Sequence, residues 1–167
     1  MSLTSPRDYA PLLASLKPAA TDAATMQLVV DALWQSFHSR AYSWCGFYLL
    51  DPAKPTDLLL GPRRDKPACS PIGLHGCCGR AFLSRHPLVV NDVKVMGEHY
   101  IACDPRDVSE VVVPCLNPDG SCWGVLDIDS YDRAAFHIHD ALRLSELLAA
   151  TGLSAHATTN ADDVEVL

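Results

Sequence analysis

The stretch SEVVVPCLNPDGSCWGVLDID, residues 109–129, decides how this chain folds. Two apolar runs, SEVVVPCL (109–116) and SCWGVLDID (121–129), flank NPDG, four residues of turn chemistry. The reading is a β-hairpin. With residues 117–120 as the loop, Leu116 pairs with Ser121, and Glu110 falls opposite Asp127. Asp129, two residues on, shares that face. Three carboxylates then crowd one side of one ladder, amid valines. Like charges set opposite each other destabilise a sheet, so a fold that keeps them has a use for them. They could hold an ammonium group, a metal, or a proton retained because each raises its neighbour's pKa. Asp127-x-Asp129 lacks the glycine and distal glutamate of a calcium loop, so no metal is expected. The plainer alternative is a strand end facing water.

Working outward, YSWCGFYLL (42–50) reads as an aromatic strand. Trp44 and Tyr48 point to one side with Gly46 between them, which leaves a hollow between two aromatic walls. Such walls are either plain core or an apolar slot for a methyl or ammonium group. LLLGP (58–62) and PLVVND (87–92) are further short strands. Residues 22–38 carry Met26, Val29, Val30, Leu33, Trp34 and Phe37 at helical spacing, capped by Thr21 or Asp22. CCGRAFLSR (77–85) and residues 137–150 also read as helices. Residues 63–76 are mostly loop, and 93–107 a loop with a helical turn. The order implies an α+β fold, a central antiparallel sheet with helices packed mainly on one side. One domain over 1–153 is expected, with a loose arm at 1–8 and a disordered tail at 154–167.

At 167 residues with 49% apolar and 20% charged side chains, the composition is globular. The net charge of −7 lacks the basic footprint that nucleic acid requires. No apolar run approaches a membrane span, and MSLTSPRDYAP has no apolar signal core, so a cytoplasmic protein is expected.

The seven cysteines are Cys45, Cys69, Cys77, Cys78, Cys103, Cys115 and Cys122. Their odd number argues against an extracellular disulfide framework, and the lack of a C-x-x-C pair against structural zinc. Cys45, Cys115 and Cys122 are expected to be buried and inert. Cys69, Cys77, Cys78 and Cys103 fall in loops or at loop edges, where thiolate chemistry is found. Cys78 stands near a helix start, whose dipole can lower a thiol pKa. Of seven histidines, only His99 lies near Cys103.

With these residues in view, the chain resembles the free methionine-(R)-sulfoxide reductases, enzymes built on a single GAF domain. WCGFYLL, GPRRDKPAC, GCCGRA, HYIACDPRDVSEVVVP and GVLDIDS are similar to that family's segments and stand in its order, from about Trp44 to Asp140. The resemblance implies that Cys103 is the nucleophile and that Cys69 and Cys78 can resolve the oxidised intermediate. It implies that Glu110, Asp127 and Asp129 are the acids of the substrate site, and that Trp44 and Tyr48 hold the substrate methyl. In the turn LHGCCG, Leu74 stands where the family has glycine and Cys77 where it has an apolar residue, which leaves open whether Cys77 or Cys78 resolves.

The implied reaction reduces free L-methionine-(R)-sulfoxide. The Cys103 thiolate attacks sulfur, a nearby carboxyl protonates the leaving oxygen, and methionine departs, leaving a sulfenic acid. A second cysteine condenses with it, and a thioredoxin-type dithiol reduces the disulfide. No cofactor is expected. The implied partners are the free amino acid and the reductant, and the family is compatible with a homodimer. The alternative function is a non-catalytic GAF module that senses redox state or a small ligand.

Overall fold

Among the described residues, seven strands form one sheet in the order β3-β2-β1-β6-β5-β4-β7. Its strands are β1 (Trp44–Leu50), β2 (Asp57–Arg63), β3 (Ile72–Gly73), β4 (Leu88–Val90), β5 (Ser109–Leu116), β6 (Cys122–Ser130) and β7 (Glu165–Val166). This computed structural model describes residues 6–64 and 68–167; residues 1–5 of the expected arm and Asp65–Pro67 of the GPRRDKPAC segment lie outside the described residues. All pairings are antiparallel except β4 with β7, which makes the sheet mixed. The helices are α1 (Ala10–Ser15), α2 (Asp22–Phe37), α3 (Cys77–Ser84) and α4 (Ile138–Ala150).

Strand alternation sorts the side chains into two layers. Cys45 and Phe47 of β1, Val111, Val113 and Cys115 of β5, and Leu126 and Ile128 of β6 face the larger core with α1, α2 and α4. Trp44, Tyr48, Val112 and Val125 face the other side, under α3. Helices therefore lie mainly on one side, as expected. Thr21 caps α2, accepting a bond from the Ala24 N–H at 3.2 Å.

Four expectations need correction. The hairpin register differs by two residues: Glu110 pairs with Asp129, and Val112 with Asp127, because the loop takes in Ser121, so that Leu116 pairs with Cys122, and a bulge between Cys115 and Leu116 adds one residue more. A shift of two preserves the face, so the three acids remain together. The arm is not loose at Arg7, which is buried (8% exposed) and donates to Asp140 at 3.0 Å and to the Arg40 carbonyl at 2.9 Å. Tyr9 follows it into the core and donates to Asp140 at 2.6 Å, and α1 then begins, a helix too short to leave a periodic signal. The tail is ordered: β7 pairs in parallel with β4, and Leu167 packs under α3. Cys122 is only half-buried, its thiol donating to the Gly124 carbonyl at 3.1 Å.

Candidate functional site

On the α3 face a pocket opens between β1, β5, β6, the first turn of α3 and the loop from Tyr100 to Asp107. Glu110, Asp127 and Asp129 form its acidic side, and an oxygen of each lies within 4.8 Å of the others. Parity along β5 and β6 puts all three here, beside Val112 and Val125. Glu110 is 5% exposed and Asp127 7%. Burial, with the Asp129 charge next, pushes the Glu110 carboxyl up to about 8. Burial and then the Glu110 charge drive Asp127 well above the usual carboxylate range.

Three buried polar atoms here have no hydrogen-bond partner among the described residues: Glu110 Oε1, Asp127 Oδ1 and Trp44 Nε1. Each such atom costs about 1–3 kcal/mol when left unsatisfied. The pocket thus presents two acceptors and one donor in need of a ligand.

Trp44 and Tyr48 form the opposite wall, with ring centroids 6.0 Å apart. The room that Gly46 provides is taken by the Trp44 indole: a Cβ there would lie 2.5 Å from the ring. Gly46 thus seats the indole rather than leaving a hollow. The Tyr48 hydroxyl donates to the Cys69 carbonyl at 2.9 Å and ties that loop to the wall.

Cys103 lines the pocket at an exposed position and is joined by a disulfide to half-buried Cys69, with 5.4 Å between Cα atoms. Cys78 is not in that bridge. It sits in the first turn of α3, its thiol donating to Asp127 Oδ2 at 3.3 Å. Cys77 beside it lies close enough to Glu110 to feel that carboxylate's charge. Burial first, and then these carboxylates, raise both thiols. The helix start does not activate Cys78, because desolvation and two acids outweigh the dipole there.

All eight candidates thus come together: Cys103, Cys78, Trp44, Tyr48, Glu110, Asp127 and Asp129 line the pocket, and Cys69 is bonded to Cys103. His99 does not line it and is exposed. Tyr100, Ile101, Asp104 and Asp107 also line it, although the sequence had not singled them out. They belong to the irregular stretch around Cys103, where no periodicity tells inward from outward side chains. Ser43 donates to Asp107 at 2.9 Å, and Tyr131 to Asp104 at 3.1 Å, with Arg106 stacked 4.8 Å over the Tyr131 ring, so the loop is held from both ends.

The sheet with a pocket under α3 fits the class: the chain belongs to the GAF domain family, whose profile matches residues 23–154. Within that class it belongs with the free methionine-(R)-sulfoxide reductases. It is 37% identical over 118 residues to the free methionine-R-sulfoxide reductase of Saccharomyces cerevisiae, covering 69% of this chain and 65% of that protein. The chain spans a little under two thirds of the length of such curated relatives. The free methionine-R-sulfoxide reductase of Neisseria meningitidis, solved with its substrate, superposes with a TM-score of 0.72 at 35% identity, over 84% of this chain and 79% of that one. Reduced fRMsr of Staphylococcus aureus superposes at 0.77 with 32% identity, over 90% and 96%.

Proposed function

We propose that this chain is an oxidoreductase that reduces free L-methionine-(R)-sulfoxide to methionine. The observation that carries the proposal is the Cys69–Cys103 disulfide at a pocket with an acidic side and an aromatic wall. In the reduced protein the Cys103 thiolate attacks the sulfoxide sulfur. The oxygen leaves sulfur for Cys103 with a proton from the acidic side, methionine departs, and Cys103 is a sulfenic acid. The Cys69 thiol displaces that hydroxyl as water and forms the disulfide. A thioredoxin-type dithiol attacks the exposed bridge, takes up the oxidation and restores both thiols. Such recycling belongs in a reducing compartment, and the cytoplasm fits.

The inventory of unpaired atoms supports the substrate class. Glu110 Oε1 and Asp127 Oδ1 need donors, which an α-ammonium supplies, and Trp44 Nε1 needs an acceptor, which a sulfoxide or carboxylate oxygen supplies. A methionine within a peptide has no ammonium to offer. Trp44 and Tyr48 give the methyl an apolar wall. The bridge makes Cys69 the resolving thiol in this reading, and leaves Cys78 as a partner of Asp127.

The test is methionine release from each free sulfoxide epimer, with dithiothreitol and then thioredoxin. Turnover of the R epimer alone is expected. Cys103→Ser is expected to abolish even a single turnover. Cys69→Ser is expected to release one methionine per chain and then stall with thioredoxin. No turnover by folded, reduced protein would sink the reading in favour of a ligand- or redox-sensing GAF module.

A further inference from the structure

Cys78 takes no part in the bridge, yet it lines the pocket, buried in the first turn of α3. Its thiol donates to Asp127 Oδ2 at 3.3 Å, while Asp127 Oδ1 takes no partner among the described residues. The two oxygens of one carboxyl are thus used differently: the protein holds one and leaves the other for a ligand. We propose that Cys78 is a positioning residue for substrate binding, whose S–H fixes the Asp127 carboxyl so that Oδ1 accepts from the substrate ammonium. That role rests on the reductase reading. The hydrogen bond itself does not.

The fold holds both ends of this contact. Asp127 lies within β6, paired with Gly46 of β1 on one side and Val112 of β5 on the other, so only its side-chain torsions remain free. Cys78 rides on a helix that Gly79 lets press onto the Leu74 backbone, where no Cβ fits. Burial, and then the Asp127 charge, raise the thiol, so it stays protonated and acts as a donor rather than a nucleophile. Facing Asp127 are Glu110 from β5, Asp129 along β6, Asp107 and Tyr100 from the Cys103 loop, Cys77 beside Cys78, and Tyr48 from β1. No Lys or Arg is among the described residues that line the pocket. Burial and the Glu110 charge favour the neutral acid. A donor to the carboxylate opposes them and favours the charged form that an ammonium needs. A serine hydroxyl can donate in the same place, but it cannot form a disulfide, which separates positioning from resolving.

The experiment compares the full chain with Cys78→Ala and Cys78→Ser. Cys78→Ala is expected to raise KM for the sulfoxide about tenfold at neutral pH, with kcat within about twofold, the pattern of lost binding. The acid limb of kcat/KM is expected to move up by about one pH unit, the same tenfold read as a titration. Cys78→Ser is expected to restore both, with thioredoxin as reductant. Carbon-13 NMR of the Asp127 carboxyl in the disulfide form reads the bond without turnover. Its titration is expected to move up by about one unit in Cys78→Ala and to return in Cys78→Ser. Circular dichroism checks folding, and Cys78→Val, which fills the space without donating, replaces Cys78→Ala if that variant unfolds. An unchanged KM and acid limb in the folded Cys78→Ala enzyme overturns the role. So does a Cys78→Ser enzyme as impaired as Cys78→Ala, the result a resolving thiol would give. Either result beside normal wild-type turnover refutes the positioning role alone. No turnover by the wild type, with the carboxyl shift present, refutes the reductase reading and leaves the Cys78–Asp127 bond standing.

Discussion

Glu110 and Asp127 are held where a stable fold would place apolar side chains, in a layer with Val112 and Val125. A buried carboxyl with an unpartnered oxygen is a standing cost, and Glu110 carries one. Glu110→Gln removes the repulsion from Asp129 and keeps the shape. The expected outcome is a melting temperature that is unchanged or a few degrees higher, with kcat/KM for the sulfoxide down by about 10²-fold. Paired thermal melts and kinetics check this, and a loss of stability as large as the loss of activity would contradict the assignment. At this scale the acids were legible because alternation alone sorts the faces of a strand. The Cys69–Cys103 bridge came only from the resemblance, which left Cys78 as the other choice: the two residues stand 34 apart on separate loops, and no local pattern links them.

Among the elements, the hairpin shows why face survives an error in register. Its loop residues placed the turn, but the loop is longer by Ser121 and the bulge at Cys115/Leu116 adds a second residue to the shift, and bulges leave no mark in an apolar run. Helix α3 depends on Gly79. A Cβ there would sit 2.2 Å from the Leu74 backbone, so the helix seats Cys77 and Cys78 on the acids only because the glycine lets it approach. Gly79→Ala is expected to cost roughly 1–3 kcal/mol by overpacking, and to reduce activity by moving the Cys78 thiol off Asp127. Denaturant melts measure the first effect and kinetics the second.

The β7 strap offers a pH test. Arg80 of α3 pairs with Glu165, and that hydrogen-bonded pair, with a smaller contribution from His86, holds the Glu165 carboxyl below its usual value. A depressed acid contributes stability that is complete above its unfolded pKa, about 4.5, and is lost as pH falls through the folded value. The pair is partly exposed, so the effect is at most about 1 kcal/mol. It should appear as faster amide exchange at Glu165 and Leu167, which donate to the Pro87 and Val89 carbonyls, below about pH 4, relative to neutral pH and after correction for intrinsic rates. Arg80→Met should exchange fast at both.

Across the whole molecule, the chain's two ends are fastened to opposite layers. Arg7 and Tyr9 join Asp140 at the head of α4, with the Arg7 guanidinium 5.1 Å from the Tyr42 ring centroid and 5.0 Å from that of Phe136. Breaking a buried pair strands a charge, so Asp140→Ala is expected to cost about 3–5 kcal/mol and to lower the melting temperature on the order of 10 °C. Activity at low temperature should persist, since Asp140 is remote from the acids. Composition was enough to read a globular chain, and the GAF class came from the resemblance of its segments. The fastened segments escaped notice because Arg7 and Tyr9 rest on Asp140, more than a hundred positions away, and β7 is a strand of two residues.

Trp44 has an optical consequence. Of the three tryptophans, Trp44 alone lines the pocket with Cys103, while Trp34 and Trp123 pack against the other layer. A disulfide quenches a nearby excited indole, and a pair of thiols does so less. Emission from Trp44 should therefore brighten as the Cys69–Cys103 bridge is reduced, and dim again as oxidant re-forms it. Trp44→Phe should remove that swing and leave the constant background of the other two. The molecule thus carries a built-in lamp by which each oxidation and each rescue can be followed in real time, without label or coupled assay.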